Sequence, residues 1–367
     1  MHIMISAGGT GGGVYPALAV VSALRKLYPD HLTLTFVGAR GDMAFDLIDP
    51  ALFDATRAVW GGPLHGVSRG QQVLSALKIL VGIVQSLGLV IRQRPQVLFL
   101  TGGWVGFPVA AACWLLRRPI VIYVPDIEPG LALRLLGRYF ARVIAATVQA
   151  TAPFYPGKHV FETGYPLRPQ MHGVDRAAAI QSFDLDPARR ILLVWGGSRG
   201  SRGINTLFGS IAPDLLARGV QIIHISGKLD WEPVQHAHAQ LSAAQQADYR
   251  IFPYMPDIER AFAAADLVIS RAGAATLAEY PEHALPAILV PYPYAWRYQR
   301  VNADWLAERG AAIRLDEDRL AAELLPLIRD LLDDPARLEA MRAAMAALKR
   351  SDGAENIARL LVQTAKK

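Results

Sequence analysis

Two passages of this chain, HIMISAGGTGG from His2 to Gly12 and ILLVWGGSRG from Ile191 to Gly200, repeat one pattern: apolar strand, two glycines, a hydroxyl residue, a further glycine, then a helix. A strand that feeds a glycine turn and a helix buries its apolar residues best when the next strand returns parallel to it, so the pattern demands layered α/β structure rather than a sandwich or bundle. The alternation continues on both sides of the middle. Strands are expected over residues 3–6, 32–37, 97–100, 120–124 and 143–146 in the first half, and over 191–195, 221–225, 250–252, 267–270, 287–290 and 312–315 in the second. Each half has enough strands for its own sheet, and 367 residues suit two domains. Two Rossmann-like domains follow. The segment ETGYPLRP, Glu162 to Pro169, breaks the alternation with Gly and two prolines. The first domain is therefore expected over 1–165 and the second over 166–352, with a last helix in 353–367 returning to the first.

Composition narrows the function. Lys and Arg exceed Asp and Glu by 38 to 32, a net +6 with a pI near 9.5, which favours an anionic partner: nucleic acid, an acidic membrane surface or a phosphorylated substrate. Nucleic acid is disfavoured, because the cations fall in small groups, aromatics are only 8% and no nucleic-acid-binding motif is present. The single Cys113 excludes an internal disulfide and a Cys-based zinc site, and it reads as a small core residue between Ala112 and Trp114. Residues 73–91 are long and apolar enough for a bilayer span but contain Lys78, Gln85, Ser86 and two glycines and run into Arg92 and Arg94. They are expected to form a helix on one side of any membrane, either buried in the domain or lying at a lipid surface. The N-terminus has no signal-peptide pattern, and the expected compartment is the cytoplasm.

Six loops are expected at strand carboxyl ends, where open α/β sheets bind ligands. Five glycines lie between Gly8 and Gly13, more than a tight turn needs, and such a nest at a helix start suits an anion. The loop lacks the terminal GK[ST] of a Walker sequence and does not match a dinucleotide fingerprint. In GGSRGSRGIN, Ser198 offers a hydroxyl and an amide to a phosphate, with Arg199 and Arg202 adding charge. In SRAGAATLAE, small residues permit close ligand approach, and Glu279 lies one helical turn beyond Thr276, placed to accept from ribose hydroxyls. VPYPYAWRYQRVN carries Gln299 and Asn302 three apart, a spacing that puts both on one helix face toward sugar hydroxyls. TGGWVGFP and YVPDIEPG complete the set, the latter holding Asp126 and Glu128.

The combination of GGTGG followed by an aromatic residue and Pro-Ala-Leu-Ala, GGSRG with Asn205, SRAGAATLAE and the loop containing Gln299 resembles, in order and spacing over nearly the whole chain, the MurG family. The resemblance implies a GT-B fold, two Rossmann-like domains facing across a cleft. It implies transfer of N-acetylglucosamine from UDP-N-acetylglucosamine (UDP-GlcNAc) to the C4 hydroxyl of undecaprenyl-diphosphoryl-N-acetylmuramoyl-pentapeptide, converting lipid I to lipid II with inversion, at the cytoplasmic face of the membrane. No cofactor and no metal is implied. By position it gives Thr10, Gly11 and Gly12 to the loop beneath the donor diphosphate, Arg168 and Ser198 to the diphosphate, and the Met255 backbone to the uracil edge. It gives Ala274, Ala275, Thr276, Leu277, Ala278 and Glu279 to the nucleotide, with Glu279 on the ribose, and Gln299 to the sugar.

The acceptor half departs from the family pattern. Gly13 stands where many members have His, Trp104 where they have Tyr, and Tyr123, Val124, Pro125 and Asp126 where they have His-Glu-Gln-Asn. Gly13 cannot accept a proton, which leaves Asp126 and Glu128 as candidates for the base. A lipid-linked acceptor requires membrane contact, for which residues 73–94, Trp114 to Arg118, and Arg134, Arg138 and Arg142 combine apolar bulk with cations. Other functions compatible with the residues are a GT-B transferase with a different lipid or natural-product acceptor, a UDP-GlcNAc 2-epimerase, and a donor-binding protein without turnover.

Overall fold

The computed structural model describes every residue except Gly9, Thr10, His65, Ser198, Arg199, residues 294–297 and Lys367. It divides into two compact units, Met1–Arg168 with Ser351–Lys367, and Pro169–Arg350. These divisions, after residues 168 and 350, lie within three residues of those expected from the sequence at 165 and 352.

In the first unit seven strands, β1 (His2–Ser6), β2 (Thr33–Ala39), β3 (Ala55–Val59), β4 (Val97–Leu100), β5 (Ile120–Val124), β6 (Val143–Ala146) and β7 (His159–Glu162), form a sheet of order β3-β2-β1-β4-β5-β6-β7. Every pairing is parallel. Ile3 stands opposite Leu34 on one side and Val97 on the other. The central strands are buried on both faces, which explains their unbroken apolar sequences. β3 and β7 were not expected from the sequence. Each is an edge strand with several exposed residues, so neither needs the apolar continuity that reveals a strand.

The Gly353–Ala365 helix belongs to this unit and packs on the Gly11–Leu27 helix through a face that includes Ile357, Ala358 and Leu361. Its start is fixed against the crossing segment. A Cβ at Gly353 would stand 2.3 Å from the Tyr165 carbonyl oxygen, and Asn356 Nδ2 donates to the Thr163 carbonyl at 3.2 Å.

The Arg69–Gln93 helix, started by a Ser68–Gln71 capping box, reverses the usual polarity of a surface helix. Its buried stripe is Ser75, Ile79, Gly82, Ser86 and Val90. Val73, Leu74, Leu77, Leu80 and Val84 face outward, with Leu80 60% and Val84 70% exposed. Small and hydroxyl residues take three of the five inward positions while most of the large aliphatics are left out, which overturns the reading of this segment as a buried core helix. Gly82 is required for that packing: a Cβ there would lie 1.9 Å from the Trp60 carbonyl oxygen.

The second unit has six parallel strands, β8 (Ile191–Trp195), β9 (Gln221–Ile225), β10 (Tyr249–Phe252), β11 (Leu267–Ser270), β12 (Ala287–Leu289) and β13 (Ala312–Arg314), in the order β10-β9-β8-β11-β12-β13. Its core, including Leu192, Val194, Phe208 and Ile288, lies between the sheet and helices such as Arg202–Ala217 and Leu320–Leu332. In both sheets the order reverses beside the first strand, so each unit has a topological switch point, at β1/β4 and at β8/β11.

Candidate functional site

At the first switch point the loops after β1 and β4 meet backbone to backbone. A Cβ on Gly102 would lie 2.8 Å from the Gly8 carbonyl oxygen, and one on Gly13 would lie 3.2 Å from the same atom. Thr101 Oγ1 donates to the Gly13 carbonyl at 2.6 Å. Glycine is therefore built into two positions facing the Gly8 carbonyl, and the Gly11–Leu27 helix begins there, with Gly12 exposed and its first amides unused by the helix. Thr10 lies outside the described residues.

The β5 loop separates the altered acceptor positions into two kinds. Tyr123 and Val124 belong to the strand and are fully buried. Tyr123 bonds Thr147 Oγ1 at 2.8 Å, and burial pushes its phenol well above the ordinary range. Asp126 is half-buried, close enough to Tyr123 for its charge to add to that upward shift. Glu128 Oε1 accepts from Arg134 at 3.2 Å, and the Arg134 guanidinium lies over the Phe154 ring. Arg134 thus braces the loop beside Glu128 while 42% of its side chain stays exposed. Arg168 is partly buried at the end of the crossing segment, after Gly164, whose φ of 84° suits glycine.

In the second unit the β8 loop turns through Gly197 and Gly200, with φ of 87° and 77°. A Cβ on Gly200 would stand 2.1 Å from the Ser226 carbonyl oxygen, so the loop after β9 presses directly on it. Ser198 and Arg199 lie outside the described residues. Beneath the turn is a polar chain that the sequence did not reveal, buried from Asp230 to Tyr249 and reached from the surface by the exposed Arg202. Arg202 Nε donates to Asp230 at 3.1 Å, Asn205 Nδ2 donates to Asp230 at 3.0 Å and to the Ser226 carbonyl at 2.8 Å, and His224 Nε2 meets Asn205 Oδ1 at 2.9 Å. Because the Asn205 amide nitrogen donates elsewhere, His224 Nε2 carries the proton and Nδ1 accepts from the Tyr249 hydroxyl at 2.7 Å. Burial holds His224 down to about 3, so it is neutral.

The β11 loop brings Ala274, Ala275 and Thr276 to the start of the Thr276–Glu282 helix. Thr276 Oγ1 donates to the Gly273 carbonyl at 2.6 Å; Leu277 and Ala278 are buried, and Glu279 is partly exposed. Arg271, between the β11 end and this loop, pairs with Glu317, donates to the Val290 carbonyl at 3.2 Å and lies over the Tyr292 ring. Met255 is buried in the segment after β10. Gln299 Oε1 accepts from the Tyr292 amide at 2.8 Å. Asn302 is 0% exposed and donates to the Ala272 carbonyl at 3.2 Å. It holds the β11 loop and does not share a ligand-facing surface with Gln299, contrary to the expectation from their spacing.

Each unit thus carries glycine loops at its strand carboxyl ends, the first with carboxylates after β5 and the second with a small-residue helix start after β11. Among the described residues no three His, Cys, Asp or Glu side chains group so as to hold a metal ion.

Comparison with known proteins agrees with this layout. The glycosyltransferase family 28 N-terminal domain matches residues 3–145 and the family's C-terminal domain matches residues 191–357. The UDP-N-acetylglucosamine--N-acetylmuramyl-(pentapeptide) pyrophosphoryl-undecaprenol N-acetylglucosamine transferase of Symbiobacterium thermophilum is 34% identical over 368 residues, covering 100% of this chain and 97% of the relative. The protein of the same name from Moorella thermoacetica is 36% identical, covering 99% of each. The crystal structure of Acinetobacter baumannii MurG superposes with a TM-score of 0.78 at 24% identity over 99% of both chains. A UDP-GlcNAc 2-epimerase from Neisseria meningitidis, bound to UDP-GlcNAc, reaches 0.66 at 11% identity over 99% of both. The fold is GT-B, and by itself it does not separate transferase from epimerase. Full-length identity to the transferases does, and the chain belongs to glycosyltransferase family 28 and, within it, to the MurG family.

Proposed function

We propose that this protein transfers N-acetylglucosamine from UDP-GlcNAc to the C4 hydroxyl of undecaprenyl-diphosphoryl-N-acetylmuramoyl-pentapeptide, converting lipid I to lipid II. The observation that carries the reading is full-length identity of 34% and 36% to transferases named for that reaction, with the donor motifs lying at the strand carboxyl ends.

In one displacement the acceptor oxygen bonds to the anomeric carbon as the bond to the diphosphate breaks, and UDP departs with the electron pair. The helix starts at Gly11 and at Arg202, together with Arg168 and Ser198, are assigned to the developing charge on the diphosphate, as preorganised donors and cations. Glu279 is assigned to the ribose, the Met255 backbone to the uracil, and Gln299 to the sugar. The hydroxyl proton goes to a carboxylate. Asp126 is preferred because it stands just after the β5 end at a position that the family uses in its active site, and Glu128 is second on the same loop.

The outward-facing aliphatics of the Arg69–Gln93 helix are assigned to peripheral contact with the membrane that holds the acceptor. The helix is long and apolar enough to cross a membrane, yet its Ser–Gly stripe is packed against its own domain, so it lies along the surface. Incubating the purified protein with labelled UDP-GlcNAc and lipid I tests the reading, lipid II being the expected product. Donor binding without lipid II favours the transferase with another acceptor, and epimerised UDP-sugar favours the isomerase.

A further inference from the structure

All seven strands of the first sheet are parallel, so the helices that follow β4 and β5 end at the strand amino ends, away from the transfer loops. A cavity of about 950 Å³ opens there, at the starts of β5, β6 and β7, which is within the range of small-molecule sites. Arg117, Arg118, Arg142, Lys158 and His159 line it, and no Asp or Glu does. Among the described residues none of the five forms an ion pair. Arg118 Nε is buried there without a hydrogen-bond partner. Lys158 is held below its ordinary range, first by burial and then by the facing charge of Arg142. Cations are placed together here with nothing opposite them, a costly arrangement that a bound anion relieves.

The mouth of the cavity has a different chemistry. Trp114 is 53% exposed and Tyr139 is 60% exposed, rings whose apolar bodies and polar tips suit the boundary between lipid and water. The helix that carries Trp114, Phe107–Leu115, packs along the Arg69–Gln93 helix with its outward Leu and Val residues. The Arg69–Gln93 helix also ends on an arginine in the left-handed conformation, Arg94 with φ 49°, as the turn after Phe107–Leu115 does at Arg117 with φ 54°. Glycine fills such positions at least cost, so two helix ends at this edge carry a cation in spite of the backbone.

We infer that this cavity takes the phosphate-bearing headgroup of an anionic phospholipid, one per chain, when the apolar helix lies on a membrane. The inference rests on the peripheral-membrane reading above and adds to it a discrete, saturable site apart from the transfer loops. Diffuse attraction to a charged surface needs no cavity and no buried guanidinium nitrogen; a headgroup accepting charge-assisted hydrogen bonds uses both.

The test compares Arg142→Ser/Lys158→Ser with Arg92→Ser/Arg94→Ser, which removes the same charge outside the cavity lining. Binding of dihexanoyl phosphatidylglycerol, a short-chain lipid used below its micelle concentration, is followed by fluorescence, with inorganic phosphate in a parallel arm. The wild type and the Arg92/Arg94 variant are expected to bind one lipid saturably, and the Arg142/Lys158 variant to lose at least about tenfold in affinity, about 1.4 kcal/mol. Equal affinity in all three proteins, or no saturable binding by the wild type, overturns the site. Phosphate binding as tightly as the lipid overturns the headgroup assignment. Flotation on phosphatidylcholine vesicles with and without phosphatidylglycerol separates the two levels of reading. Wild type that never floats sinks the membrane reading itself, whereas wild type that floats while the two variants weaken equally sinks only the cavity. Unchanged circular dichroism and a single cooperative unfolding transition at the wild-type temperature show that the variants are folded.

Discussion

Thr101 Oγ1 donates to the Gly13 carbonyl oxygen at 2.6 Å and so closes the β4 loop onto the start of the Gly11–Leu27 helix. The family's histidine is therefore not simply missing from an open position. A Cβ at residue 13 would meet the backbone oxygens of Gly8 at 3.2 Å and Thr101 at 3.4 Å, neither of which can rotate aside. Gly13→His is expected to lower stability by about 1 to 3 kcal/mol through overpacking, against a gain of only a few tenths from helix propensity. Thermal unfolding of the variant checks this. A histidine accepted without loss of stability would show that the loop has room for the usual base.

Asp126→Asn is expected to lower kcat by about 10² to 10⁴ with donor affinity unchanged, the loss typical of a general base. Glu128→Gln is expected to slow turnover far less, its main effect being loss of the charge facing Arg134. Single-turnover rates with pre-bound UDP-GlcNAc decide the matter, and near-normal chemistry in Asp126→Asn removes Asp126 from the role.

Glu279→Ala is expected to weaken UDP-GlcNAc binding by about 1.5 to 3 kcal/mol, the typical worth of a hydrogen bond to a charged group. Its backbone amide already donates to the Ala275 carbonyl at 2.8 Å, so truncating the side chain leaves the helix start in place. Calorimetric titration with UDP-GlcNAc is the measurement, and equal affinity dissociates the carboxylate from the ribose.

His224 gives the second unit an acid-sensitive core. Its folded value of about 3 lies below the ordinary 6.5, so the unfolded chain binds more protons between those values. Stability is therefore full above about 6.5 and falls with decreasing pH down to about 3, with a slope of about 1.4 kcal/mol per pH unit where the difference is one proton. His283, held to about 4 chiefly by burial, acts in the same direction. Denaturant unfolding of His224→Gln at pH 7 and pH 5 is expected to show a shallower loss than the wild type, with the His283 share remaining. An unchanged pH slope assigns the acid sensitivity elsewhere.

Replacing Leu77, Leu80 and Val84 by Ser is expected to leave the melting temperature within a degree or two, since all three are more than half exposed. The same change is expected to abolish flotation on lipid vesicles by removing the apolar insertion that salt does not screen. Vesicle binding that survives the triple change assigns attachment to another surface.

The central strands were legible because a parallel strand buried on both faces must be apolar throughout, as VLFL of β4 and IVIYV of β5 are. β3 and β7 were not, since ATRAV and HVFE pair on one side only and leave most of their residues at the surface. The glycine loops were legible for a similar reason: few other residues fit where Gly200 meets the Ser226 carbonyl. Roles that depend on facing direction were hidden. Gln299 and Asn302 have the spacing of helix neighbours, but spacing does not say that Asn302 turns inward to Ala272. Likewise nothing near His224 in sequence announces Asn205 and Tyr249 as its partners, because the contacts join different strands and helices.

The return of the Gly353–Ala365 helix to the first unit sets an order of events during synthesis. Residues 169–350 are contiguous and can close their core as soon as they leave the ribosome. The first unit is made earlier yet finished later, because the Gly11–Leu27 helix must wait for Ile357, Ala358 and Leu361 to cover it. For about half of the chain's elongation a nascent first domain carries this uncovered apolar face in addition to the outward leucines of Arg69–Gln93, a period in which chaperones or the membrane itself become its natural shelter.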